Sequence, residues 1–98
     1  MENMQIVRVY LVESDARMQT VLDYLHNVAE MKGVTVFRGI SGFGHSGVVH
    51  STKLLYMSLD LPITIEFFDT TEKVGPAIEH FKELLGPGHI VTWSVQIT

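Results

Sequence analysis

An α+β fold is what this sequence predicts, with four strands in an antiparallel sheet and two helices on one face of it. Three observations carry the prediction. The chain has 98 residues, room for one hydrophobic core. Four stretches read as strands and two as amphipathic helices. Their order along the chain is β-α-β-β-α-β.

Gln5 to Val12 alternates, with Val7, Val9 and Leu11 on one face and Arg8 and Tyr10 on the other, the pattern of a half-buried strand. Ser14 or Asp15 can cap a first helix. Met18, Val21, Leu22, Leu25 and Ala29 recur at helical spacing, and Gly33 stands where a left-handed residue would end that helix. Val34 to Ile40, β-branched and aromatic, is the second strand. Ile63 to Phe68 is the third, with Ile63, Ile65 and Phe67 opposite Thr64, Glu66 and Phe68. Asp69 with Glu72 forms a capping pair for a second helix, whose stripe is Val74, Ile78, Phe81 and Leu85. Pro76 is cheap there only if the helix starts within a turn of it. Gly86-Pro87-Gly88 stops the helix, and Ile90 to Ile97 alternates as the last strand, with Val91, Trp93, Val95 and Ile97 on one face. This is the split βαβ, ferredoxin-like arrangement.

Two helices cover one face of such a sheet. The other face is expected to carry Arg8, Tyr10, Thr64, Glu66, Phe68, Thr92, Ser94 and Gln96. An antiparallel sheet can leave a half-polar face wet, but two aromatics favour contact. A homo-oligomer is therefore expected.

Composition narrows the function. The chain is 46% hydrophobic and 18% charged, ordinary for a compact globular protein. With no cysteine, disulfide scaffolds, thiolate metal sites and cysteine nucleophiles are excluded. Seven Lys and Arg against eleven Asp and Glu give a net charge of −4, which argues against nucleic-acid binding. The uncharged run Gly39 to Ser51 holds four Gly, two His and three Ser, so it is no membrane span. The opening MENMQIVRVY passes straight into a strand and reads as no signal peptide. The expected compartment is the cytoplasm, and residues 1–98 are expected to fold as one unit without repeat or linker.

The informative segment is the long connection between the second and third strands, about residues 41–62. Neighbouring strands need only a few residues to connect, and a connection this long is usually functional. Gly39, Gly42, Gly44 and Gly47 let backbone N–H groups converge, and such nests bind phosphates. His45, His50 and Lys53 add positive or protonatable groups, and Ser41, Ser46, Ser51 and Thr52 add hydroxyls. An anion site is the functional reading; a plain flexible loop is the bland one. Leu54, Leu55, Tyr56, Met57 and Leu59 are too apolar for a solvated loop and suggest packing on a neighbouring subunit or a docking patch.

Other motifs weigh less. Gly42-Phe-Gly44-His-Ser-Gly47 matches G-x-G-x-x-G, but no long helix follows and the chain ends before a second nucleotide-binding half. His45 and His50 lack a nearby carboxylate or cysteine and make a weak metal site. No nucleophile elbow or catalytic constellation is present, so no enzyme is required. An RNA-recognition sheet shares the topology, yet Tyr10 and Phe68 are its only support. Gly86-Pro87-Gly88-His89 reads most simply as a helix stop, which explains every residue but His89. Its alternative is a second glycine loop meeting the first across a cleft.

The run RGISGFGHSGVVHS at Arg38 to Ser51, the strand PITIEFFD and the helix with FKELL resemble the PII-like family of domain of unknown function 190, over nearly the whole chain. Through it the chain resembles, more distantly, the PII signal proteins. Those are ferredoxin-like trimers that bind adenine nucleotides between subunits and engage transporters and enzymes through the long loop. Gly42, Phe43 and Gly44 match the Gly-Phe-Gly at the base of that loop, and His45 and Ser46 fall where side chains approach the nucleotide. Gly86 and Gly88 stand in for the second phosphate loop, with no lysine after them and no C-terminal arginines. With so few cations, AMP or ADP is favoured over ATP, and Arg8, Arg38 and Lys53 are the candidates to compensate. The resemblance thus implies a homotrimer that needs no cofactor and regulates an unknown partner through the long loop, a membrane transporter being the suggested class. The implied nucleotide set is Arg38, Gly39, Ser41, Gly42, Phe43, Gly44, His45, Ser46, Lys53, Glu66, Gly86, Gly88 and His89. The alternative on the same scaffold is a small metal-handling trimer or enzyme using His45 and His50.

Overall fold

The computed structural model describes residues 2–43, 49–51 and 60–98, with 49–51 described by their backbone alone. The elements are β1 (Glu2–Val12), α1 (Arg17–Asp23), β2 (Gly33–Arg38), β3 (Ser41–Phe43), β4 (Val49–Ser51), β5 (Pro62–Asp69), α2 (Thr71–Leu85) and β6 (Ile90–Ile97). A π-helical segment, Tyr24–Val28, extends α1. Four strands form one antiparallel sheet in the order β2-β5-β1-β6, as the sequence predicts. A separate ladder pairs β3 with β4, Ser41 opposite Ser51 and Phe43 opposite Val49. The long connection therefore begins as a hairpin. Gly44, His45, Ser46, Lys53 and the apolar stretch from Leu54 to Leu59 lie outside the described residues.

Period-two alternation sends Val7, Val9 and Leu11 of β1 and Ile63, Ile65 and Phe67 of β5 to one side. There they meet Val21 and Leu25 from α1 and its extension and Val74, Ala77, Phe81 and Leu85 from α2. Phe67 and Phe81 make an edge contact, ring centroids 5.9 Å apart at 79°, a favoured aromatic geometry. Burying one such ring is worth about 1.5–3 kcal/mol. That packing holds α2 together despite Pro76, which lies in its second turn rather than its first. The helix thus lacks one backbone bond the expectation would have kept.

Two local expectations change, and a third, the capping of α1 by Asp15, is met one residue further from the helix. Gly33 is not the left-handed helix end; Glu30 takes that conformation, at φ 50°, with its carbonyl bonded to Lys73 Nζ at 2.9 Å. Gly33 opens β2 instead. Asp69 and Glu72 do not cap α2, whose flanking residue is Thr70. The buried Asp69 carboxylate accepts N–H bonds from Thr70 (2.8 Å) and Lys32 (3.2 Å), tying the end of β5 to the turn before β2. At α1, Ala16 flanks the helix without a side-chain cap, and Asp15 Oδ1 accepts the Arg17 backbone N–H at 2.9 Å in its place.

The open face also differs. Arg8 pairs with Val91 and Ile6 with Trp93, so Val91 and Trp93 lie on the face away from the helices, beside Arg8. Thr92 and Ser94 lie on the opposite face, where both hydrogen-bond Gln5. The helices pack over β1 and β5, and of β6 only Ile90 reaches the core. An edge strand with no helix above it can turn its apolar side the other way. The open face then holds Tyr10, Phe37, Val91 and Trp93, each at least 40% exposed, around the Arg8–Glu66 ion pair at 2.9 Å.

Candidate nucleotide cleft

One end of the sheet gathers the last residues of β1 and β2 and the first of β5 and β6. Val12 pairs with Pro62 and Arg38 with Ile63, and the backbones of Tyr10 and His89 meet there. Around this end lies a cleft of about 1000 Å³. Its walls are Tyr10–Val12 and Asp15, then Phe37–Gly39 with Ser41–Phe43, then Pro62–Thr64, and finally Pro87–His89.

The cleft joins the two glycine segments that the sequence leaves apart. Arg38, Gly39, Ser41, Gly42, Phe43, Gly88 and His89 all line it. Gly86, at φ 77°, is the helix stop with its N–H bonded to Lys82 O at 3.0 Å, and it does not reach the cleft wall. Gly88, at φ 89°, turns the chain toward β6, a conformation that suits glycine. Both readings of this turn are therefore present in it: a helix stop at Gly86 and a cleft wall from Pro87 onward. Glu66 sits elsewhere, on the open sheet face with its carboxylate on Arg8 Nε.

Gly39 and Gly42 have a packing reason to be glycine. A Cβ on Gly39 would come within 2.8 Å of Pro62 Cγ, and one on Gly42 within 3.2 Å. The Gly39 N–H donates to Pro62 O at 2.8 Å. These two glycines let the start of the hairpin lie flat on Pro62. Neither takes a left-handed φ.

The charges of the wall are held in pairs. Arg38 grips Glu13 through one edge of its guanidinium, Nε to Oε2 at 2.7 Å and Nη2 to Oε1 at 3.0 Å. Asp15 is gripped by Arg17, Nη2 to Oδ2 at 2.8 Å and Nε to Oδ1 at 3.0 Å. Hydrogen bonding to Arg17 holds the Asp15 carboxyl below its ordinary range, against the opposing push of burial. Arg17 Nη1 also reaches the carbonyls of Leu84 and Leu85 at 3.4 and 3.5 Å. A cation there satisfies the end of α2, next to the Pro87–His89 wall.

Tyr10, Asp15, Phe37, Pro62 and Thr64 are cleft residues that motif reading misses. Asp15 resembles a helix cap, and the others resemble ordinary strand positions. Phe37, Thr64 and Tyr10 form one row across three strands. Register alone, once known, would have found them. Among the described residues no group of three or more His, Asp or Glu could hold a metal ion. No helix among them is long and apolar enough to cross a membrane.

Sheet order and helix placement define a ferredoxin-like α+β fold. The fold matches CPII, a nitrogen regulatory PII-like protein from Thiomonas intermedia K12 bound to ADP, AMP and bicarbonate, with a TM-score of 0.76 at 24% identity. That match covers 98% of this chain and 89% of the other. CutA from Synechococcus elongatus PCC7942, complexed with a Bis-Tris molecule, shares the fold at TM-score 0.63 and 6% identity, over 99% of this chain and 82% of that one. The family model DUF190, "Uncharacterized ACR, COG1993", matches residues 4–97, and the chain belongs to that family. Its relatives include a UPF0166 protein of Aquifex aeolicus (strain VF5), 35% identical over 52 residues, or 53% of this chain and half of the other. UPF0166 protein MJ1524 of Methanocaldococcus jannaschii is 30% identical over 86 residues, 83% of this chain and 78% of that one.

Proposed function

We propose that this chain is a PII-like signal protein that binds an adenine nucleotide, AMP or ADP in preference to ATP, in clefts between the subunits of a homotrimer. The observation that carries the reading is the cleft at the sheet end, where Gly39, Ser41–Phe43 and Pro87–His89 face one space. The Thiomonas protein of the same fold is bound to ADP, AMP and bicarbonate, which supports an adenine nucleotide as the ligand here.

Charge supports a ligand with few phosphates. Arg38 is committed to Glu13, and Arg8 to Glu66 on the open sheet face. Each phosphate added to the ligand needs a cation or N–H donor, and the described wall supplies few. The open face supports a second and third copy of the chain. Tyr10 and Phe37 belong both to that face and to the cleft wall, so a subunit covering the face would also close the cleft. The bound nucleotide acts by its differential affinity for one arrangement of the segment from about 41 to 62. That segment is the surface offered to a partner protein, a membrane transporter being the class in view. No catalytic role is assigned to any residue.

Isothermal titration with AMP, ADP, ATP and cyclic AMP, with and without bicarbonate, tests the reading alongside sedimentation. The expected result is a trimer with one AMP or ADP per subunit and weaker ATP. A trimer that binds none of the four overturns the nucleotide reading, and a monomer overturns the shared cleft.

A further inference from the structure

We propose that His89 makes the cleft sensitive to ligand charge and to pH: its Nε2 donates to an anionic oxygen of the ligand when the imidazole is protonated, and can only accept when it is neutral. The proposal deepens the reading of the cleft as an adenine-nucleotide site and rests on it.

The geometry fixes the ring. His89 Nδ1 lies 2.9 Å from Tyr10 O. A carbonyl oxygen only accepts, so Nδ1 carries the hydrogen in either charge state. The Tyr10 N–H donates in return to His89 O at 2.8 Å, which locks the turn after α2 against β1. The tautomer is thereby chosen, and Nε2 is the nitrogen left over. It has no partner among the described residues, while His89 lines the cleft.

Few charged groups share this wall. From β2 comes Arg38, held by Glu13. The turn after β1 brings Asp15, held by Arg17, which also caps the carbonyl end of α2. From β1 itself it is the backbone of Tyr10 that meets the ring. A guanidinium keeps its charge, and Asp15, held low by Arg17, stays ionised at neutral pH. Histidine is the side chain that ordinarily changes charge between about pH 5 and 8. His89 is the one histidine among the described wall residues. Protonation turns its outward nitrogen from acceptor to donor without disturbing the bond to Tyr10. The neutral ring suits a hydroxyl or amino donor, and the cation suits phosphate.

Nucleotide phosphates titrate in the same range, so the probe is adenosine 5′-sulfate, whose ester keeps one charge throughout, with adenosine as the uncharged control. Both are titrated at pH 6, 7 and 8 into the wild type, His89→Asn and His45→Gln. Asparagine places an N–H where Nδ1–H points at Tyr10 and removes the titrating nitrogen. Wild type is expected to bind the sulfate about tenfold more tightly at pH 6 than at pH 8, with adenosine nearly constant and H89N flat for both. A flat wild-type profile, or a slope that survives in H89N, overturns the proposal while leaving the nucleotide reading intact. A slope lost in H45Q instead does the same. Failure of both ligands at every pH while ADP still binds overturns the proposal alone, and failure of ADP as well overturns the reading with it. Should H89N not fold, the imidazole ¹⁵N spectrum of the wild type decides. Nδ1 protonated at pH 8, with both nitrogens protonated in the sulfate complex at pH 6, supports the proposal. Nδ1 bare at pH 8 overturns it.

Discussion

Phe68 lies directly across from Gly33 on the neighbouring strand, and its ring fills the space that a side chain at position 33 would need. A Cβ there would meet Phe68 Cε1 and Cζ, the latter at 2.7 Å. The ring covers glycine backbone that would otherwise face water, a device known to support glycine in sheets. Gly33→Ala is expected to destabilise the protein by about 1–3 kcal/mol, as other overpacking substitutions do, measured from the urea midpoint. With Phe68→Ala beneath it, the same substitution should cost less than about 0.5 kcal/mol. Equal losses in the two backgrounds would show that the ring is not the obstacle.

Asp69 makes the fold sensitive to acid. Burial alone would push its carboxyl up; the N–H bonds from Thr70 and Lys32, with Lys73 Nζ 3.9 Å away, outweigh burial and hold it below the ordinary range. A carboxyl depressed in the folded state contributes stability that is complete above its unfolded value, near 4, and is lost as pH falls through the folded one. Asp69→Asn should therefore cost about 1–3 kcal/mol at pH 7, and the gap to wild type should close below about pH 4. Chemical denaturation at pH 7, 5 and 3 measures it. A gap unchanged at pH 3 would assign the loss to packing.

The open sheet face carries its own prediction. Arg8 Cζ sits 5.5 Å from the Trp93 ring centroid and 5.8 Å from that of Phe37, while its Nε holds Glu66. An arginine between two aromatics and a carboxylate is a preorganised contact surface. If the proposed trimer forms through this face, Trp93→Asp buries a charge among apolar groups and should leave the chain monomeric at micromolar concentration. Sedimentation velocity reads the change, and intact trimers in that variant would remove this face from the interface.

Much of the fold is legible because it is local. Val7, Val9 and Leu11, or Ile63, Ile65 and Phe67, announce a buried face by alternation alone. The face of β6 is not legible in this way. Val91, Trp93, Val95 and Ile97 alternate just as clearly, but which side of the sheet they take depends on register with β1 and on where the helices end. The hairpin of β3 and β4 hides for another reason: its first strand is three residues containing a glycine, too short for any period. The cleft is half legible. Gly42-Phe43 and Gly88-His89 stand out as parts of glycine segments, and only the shared end of β1, β2, β5 and β6 brings them together. Glu66 shares its face of β5 with the cleft residue Thr64 but stands two residues further from that end, paired with Arg8.

Gly39 ties the hairpin to the cleft, and it gives the sharpest separation of binding from stability. Its N–H donates to Pro62 O at 2.8 Å, and its missing side chain lets Pro62 Cγ come close. An alanine at 39 must push either the proline ring or the start of β3 aside, because its Cβ would stand 2.8 Å from Pro62 Cγ and 3.4 Å from Pro62 O. Neither Gly39 nor Pro62 belongs to the core cluster, so Gly39→Ala should shift global stability by no more than about 1 kcal/mol. The wall from Ser41 to Phe43 moves with it, and a displaced wall should weaken ADP binding about tenfold or more, since one misplaced contact surface readily costs about 1.4 kcal/mol. Pro62→Ala removes the obstructing Cγ and should restore most of that affinity in the double variant. Calorimetric titration of the three proteins with ADP tests this. Wild-type affinity in the single variant would show that the hairpin base does not contact the nucleotide.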